Sequence, residues 1–230
     1  MLSVPIQNQP DETTCGPTCL HAVYEYYNNS ADLQTVIDQV HQLEGGGTLG
    51  ALMAVHALKK GYMATIYSYN LHLFDPTWRG APRDEIIIKL RKQAAFKKEK
   101  KLTIATDAYI QFLELGGNLR FEMLRPAIIR RYLKRNQPII AGLSATWLYQ
   151  SAREFGPDLD FDDVRGESTG HFVVLHGYDT ETREVYIADP LKKNPLASGQ
   201  FYKMKTDRVI NAILLGIVTY DANLIIITPS

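Results

Sequence analysis

A cysteine stands at position 15 in the stretch QPDETTCGPTCL, directly ahead of Gly16 and Pro17, with a glutamine, Gln9, six positions upstream. The proline suits a first helical turn, where a missing N–H costs nothing. Apolar residues then follow at helical spacing through CGPTCLHAVYEYY to the breaker NNS. A helix N-terminus gathers unpaired backbone N–H groups and the positive end of the macrodipole, which brings a thiol pKa down to roughly 3.5–7.5 when a cation stands near. Cys15 is therefore a candidate nucleophile. Cys19 lies one turn deeper in the apolar stripe and reads as core.

A thiolate nucleophile needs a base, and six histidines are available. His21 follows Cys15 by six residues, which at roughly 100° per residue turns it to another face of the helix. His41, His56 and His72 fall in helices or a loop with no accompanying motif. His171 differs, because GHFVVLHGYDTETREVYIADP sets two strand-like runs on either side of the turn-type stretch DTETR. A hairpin centred near Glu181 pairs positions whose numbers sum to about 362, which brings Asp189 within a residue or two of the position facing His171. Asp189 is then expected to accept the Nδ1–H of His171 and to stabilise its imidazolium. Alternation along the strand points His176 to the opposite face, in a structural role. Gln9 is expected to aim its side-chain NH₂ at the oxygen of a tetrahedral intermediate, beside the Cys15 backbone N–H.

The elements that must position these groups are legible in outline. Helical patterns run over DLQTVIDQVHQL, LGALMAVHALKKG, RDEIIIKLRKQAAFKKEKK and RPAIIRRYLKRNQP, so the first half is mostly helical. MATIYSY alternates like a strand, and the second half holds the short β-branched and aromatic runs IIAGLS, HFVVLHGY, EVYIAD, QFYKM and NLIIIT. That segregation predicts an α+β chain whose helical N-terminal part packs on an antiparallel β-sheet. Between the two parts lies a polar loop, QSAREFGPDLDFDDVRGESTG. Its acidic stretch, 158–167, supplies Asp162, Asp163 and Glu167 as candidate substrate-binding residues for a basic or amine-bearing ligand.

The 230 residues are 45% hydrophobic and 22% charged, an ordinary composition that needs no disulfide or metal to fold. The 25 basic and 25 acidic side chains cancel, so charge gives no reason to expect nucleic acid or an anionic membrane as partner. MLSVPIQNQP lacks the basic and apolar regions of a secretory signal, and no run approaches a membrane span, which together predict a cytoplasmic protein.

Other motifs are set aside. GGGTLG has the spacing of a dinucleotide loop but follows a helical pattern rather than a strand. DLDFDD lacks the glycine and the final glutamate of a calcium loop. Cys15, Cys19 and His21 fall short of the four ligands of structural zinc. No metal and no cofactor are expected.

The glutamine six positions before CGP, then GHFVVLHGYD, then VYIADP, resemble the C39-like group of papain-fold cysteine peptidases. The resemblance implies a papain-like fold, with Gln9 in an oxyanion hole, Cys15 as nucleophile, His171 as base and Asp189 as its partner. Members known for cleaving leader peptides are fused to transporter and ATPase domains, which this chain lacks. The expectation is one domain over 1–230, with insertions near 80–110 and 150–168, that cleaves a peptide or an amide-containing small molecule through a thioester. Acyl or peptidyl transfer on the same fold and a catalytically silent peptide-binding module are the alternatives. The oligomeric state stays open.

Overall fold

The computed structural model describes residues 1–29, 31–43 and 46–230. Ser30 of the NNS breaker and Gly45 of the GGGTLG motif lie outside the described residues. Three helices open the chain: α1 over Cys15–Tyr26, α2 over Leu33–Gln39 and α3 over Gly50–Lys59. Asp32 caps α2 by accepting from the Thr35 N–H. That helix is shorter than its pattern predicts, because the chain turns extended at Val40 and the His41 carbonyl then accepts from the Thr48 hydroxyl at 2.9 Å.

Strand β1, Tyr62–Ser68, leads into α4, Arg83–Phe96, and α5, Lys100–Glu114. The sequence predicts one helix over the basic run. The structure breaks it at Lys97, where the backbone is extended. α4 buries Ile86, Ile87 and Leu90 and α5 buries Leu102, Ala105, Tyr109 and Phe112, whereas the lysines between have nothing to bury. The helical pair forms a crossover to β2, Asn118–Arg120, which runs parallel to β1.

The remaining elements are α6, Pro126–Leu133; β3, Ile139–Ser144; α7, Ala145–Tyr149; the short hairpin β4, Glu154–Phe155, and β5, Asp160–Phe161; β6, Gly170–Asp179; β7, Glu184–Ala188; β8, Phe201–Lys205; α8, Thr206–Leu215; and β9, Asn223–Pro229. Seven strands form one sheet in the order β2-β1-β9-β3-β6-β7-β8, antiparallel except for the β1·β2 pair. The expected helices and largely antiparallel sheet are present, with two additions. β1, from the helical half, pairs with β9 from the end of the chain. The sheet also carries apolar packing on both faces: Ile140, Phe172, Val174 and Ile225 pack with α1, α3 and α5, while Ala141, Val173, Leu175 and Ile226 pack with α6 and α8. Burial on both faces explains why β3 and β6 read as nearly unbroken apolar runs. Among the described residues, no helix is long and apolar enough to cross a membrane.

Candidate active site

Cys15 is the first residue of α1, and the N-cap, Thr14, makes no side-chain cap bond because its hydroxyl donates to the Asp11 carbonyl at 3.2 Å. The first turn therefore keeps backbone donors beside the thiol. Gly16 follows because there is no room for a side chain. A Cβ there would lie 2.6 Å from Cγ2 of Thr48 and 3.1 Å from the Met53 sulfur, with the Phe172 ring of β6 just beyond at 3.3 Å. The CGP stretch thus seats the helix start directly on the strand that carries His171.

His171 is the second residue of β6, and its Nε2 is 2.8 Å from Oδ1 of Asp189, the residue just past β7. This differs from the expectation of an Nδ1 contact. Cys15 is a second partner of the imidazole, and with Nε2 taken by Asp189 the nitrogen left for it is Nδ1. Burial opposes a charged ring, but the Asp189 carboxylate and the Cys15 sulfur outweigh it and push His171 up to about 10.

Asp189 is fully buried. Burial alone would raise its carboxyl, yet His171 and the surrounding hydrogen bonds hold it below the ordinary carboxylate range. Oδ1 accepts from His171 and from the Leu191 N–H at 3.0 Å, and Oδ2 accepts from the hydroxyls of Tyr149 at 2.8 Å and Tyr202 at 2.7 Å. Four partners let a buried carboxylate stay charged. Both tyrosine hydroxyls are in turn raised, first by burial and then by the neighbouring Asp189.

Gln9 is buried, its backbone N–H donating to the Pro190 carbonyl at 2.9 Å, next to Asp189. Its side-chain Nε2 donates to the Asp11 carbonyl at 2.9 Å, within the loop that leads to Cys15. Cys19 is fully buried and its thiol lies 3.2 Å from the Phe172 carbonyl, with burial pushing the thiol well up. His176 points away from His171, as expected, and its Nδ1 contacts the Leu2 carbonyl at 2.8 Å.

Cys15 opens into a cleft of about 820 Å³ whose walls include Glu12, Thr48, Glu154, Glu167, Phe172 and Asp221. The acidic loop contributes unequally. Glu167 lines the cleft, and its backbone pairs with that of Glu154. Asp162 instead takes the Arg165 side chain at 2.6 Å together with the backbone N–H groups of Val164 and Arg165, and the Asp163 carbonyl takes Arg153. These two hold the loop in shape and are not among the cleft-lining residues. Within the described residues, no group of three or more His, Cys, Asp or Glu is arranged to hold a metal ion.

Residues 120–208 match the Peptidase_C39 like family. The matched stretch contains His171 and Asp189 and leaves Gln9 and Cys15 outside. A Bacillus anthracis protein described as a C39-like peptidase shares the fold at 15% identity, with 100% of this chain and 96% of that one covered and a TM-score of 0.52. Two other solved structures align less closely. One is a double glycine motif protease from an AMS/PCAT transporter in complex with the leader peptide, at 15% identity, 100% and 94% coverage and a TM-score of 0.47. The second is the peptidase domain of Streptococcus ComA, a bi-functional ABC transporter, at 14% identity, 99% and 100% coverage and a TM-score of 0.48. No curated protein matches the sequence.

Within this C39-like fold, three site residues escaped the sequence reading. Tyr149 ends α7 and Tyr202 lies in β8, so their meeting at Asp189 depends on how those elements pack, which no local pattern encodes. Asp221 carried one weak signal, a lone acid just ahead of the apolar run NLIIIT.

Proposed function

We propose that the chain is a cysteine hydrolase that cleaves a peptide or amide bond through Cys15, His171 and Asp189. The supporting observation is the buried imidazole held between a carboxylate at 2.8 Å and a thiol that lines an open cleft. The Cys15 sulfur attacks the carbonyl carbon, His171 gives its proton to the leaving amine, and water then hydrolyses the thioester with His171 as base. The Cys15 backbone N–H, at the open start of α1, offers a donor to the oxyanion, and Gln9 offers its second amide hydrogen. We assign both lobes to one functional domain, a reading supported by the single sheet that joins β1 to β9.

The reading is tested by intact-mass labelling with iodoacetamide and by turnover of amide substrates. Wild type takes one adduct, at Cys15, while Cys19 stays unmodified. Cys15→Ala takes none and loses turnover. Full residual activity in Cys15→Ala would end the proposal.

A further inference from the structure

Asp221 sits just ahead of β9, is 7% exposed and lines the Cys15 cleft. None of the ion pairs among the described residues involves it. Lys101, which lines the same cleft, is committed elsewhere: its Nζ donates to the Thr219 carbonyl at 3.0 Å and stands 5.3 Å over the Tyr220 ring. The carboxylate lies over Gly170, the residue before His171. A Cβ on Gly170 would fall 2.1 Å from Oδ2 of Asp221 and 2.6 Å from Oγ1 of Thr219. Only a glycine lets the acid reach this point beside the proposed base.

A buried carboxylate with no direct ion pair is costly, and more distant charges offset only part of that cost, so a protein keeps one cheaply only if it is neutral or if a ligand supplies the charge. Burial does push Asp221 up to about 7, against the opposing pull of the Thr219 hydroxyl, Lys101 and His171. A cation entering the cleft would draw it fully into the carboxylate form. The rest of the cleft is biased the same way. Glu12, Glu154 and Glu167 face Lys101 and Arg165, and Arg165 is already held by Asp162.

We infer that Asp221 is the anchor for an ammonium group of the substrate, bound in the Cys15 cleft next to His171. The inference rests on the proposed hydrolase and adds a substrate class to it: amides that carry a primary amine close to the scissile carbonyl. Gly170 gives the carboxylate space, the Thr219 hydroxyl beside it donates to the Gly216 carbonyl at 3.2 Å, and Glu167, in the same cleft, adds a long-range bias toward cations. The neutral isostere of such a substrate leaves Asp221 buried with no partner, and that penalty is the source of selectivity.

The test uses n-hexylammonium and its neutral counterpart 1-hexanol, titrated into the full chain and followed by backbone amide resonances. In wild type, hexylammonium shifts Gly170 and Asp221 and binds about tenfold or more tightly than hexanol, the scale of one charge-assisted hydrogen bond. Asp221→Asn and Asp221→Ser, each checked for a native-like amide spectrum, bring the two ligands to equal affinity. Equal binding of both ligands by wild type, or a preference that survives in both variants, would overturn the inference. Iodoacetamide labelling of Cys15 is run on the same samples. Absence of labelling sinks the hydrolase reading while the ammonium result stands, and labelling without ammonium preference sinks only the anchor.

Discussion

Removing the Tyr202 hydroxyl should weaken the fold in a way that depends on pH. Tyr202 donates to Oδ2 of the fully buried Asp189 at 2.7 Å, and Tyr149 donates to the same oxygen at 2.8 Å. Hydrogen bonds to charged groups contribute about 1.5–3 kcal/mol. Because Tyr149 remains on Oδ2, Tyr202→Phe belongs at the low end, about 1.5 kcal/mol, or roughly one unit of carboxyl pKa. The sign follows from linkage. Asp189 is depressed below its ordinary 3.8, so its contribution is present above that value and is lost as pH falls through the folded-state pKa. Urea melts of wild type and Tyr202→Phe should differ by the full amount at about pH 7, and the difference should shrink as pH falls below 3.8 and through the folded-state pKa of Asp189. In Tyr149→Phe/Tyr202→Phe the loss should exceed the sum of the singles, since Oδ2 is then a buried acceptor with no donor. A difference that stays constant with pH would refute the reasoning and reduce the Tyr202 contact to packing.

Two further outcomes are expected. Asp189→Asn should lower the His171 titration midpoint from about 10 by several units, read from the imidazole C–H resonances, because burial then opposes the imidazolium with only Cys15 to favour it. The part of the stability loss that comes from the imidazolium should be largest below the unfolded-state value of 6.5 and vanish as pH rises through about 10, since a raised histidine stabilises only while protonated. Gly16→Ala should cost about 1–3 kcal/mol in urea melts, the range for overpacking, because its Cβ meets Thr48 and Met53. An unchanged midpoint in that variant would mean α1 does not sit against β6 as described.

The pairing of His171 with Asp189 was legible because a hairpin converts sequence distance into spatial distance. Near the turn Asp179 faces Glu184, and further along Val174 faces Ala188. The pairing sum drops by one across the irregularity between Leu175 and Gly177, which brings it to the value expected at the site end. The nitrogen that meets Asp189 was not legible, because it depends on the side from which α1 presents the thiol. Neither was the role of Asp162, since an acidic loop reads the same whether its carboxylates face a ligand or, as here, an arginine and two backbone N–H groups of their own loop. α5 and α8 were missed although Leu102, Ala105, Tyr109 and Phe112, and Val209, Ala212 and Ile213, recur at helical spacing. The basic run before α5 and the strand before α8 mask that spacing in the sequence.

The irregularity in β6 also bears on how the two ends of the site are held together. His176 is the residue left out of the β6·β7 pairing, and freed from it, its carbonyl accepts from the Leu2 N–H at 2.7 Å while its ring contacts the Leu2 carbonyl. Gln9, at the other end of the same N-terminal segment, is bonded to Pro190. The segment preceding Cys15 is thus fastened at both ends to the hairpin that carries His171 and Asp189, and it needs no ladder of its own to stay in place. Six residues past the second anchor the chain starts α1 against Phe172, where Gly16 leaves no gap to fill. Register in one hairpin therefore sets the position of the acid, the imidazole and, through two backbone fastenings, the thiol; a slip of one residue would turn His171 to the other face of the sheet and carry the anchor for Gln9 away with it.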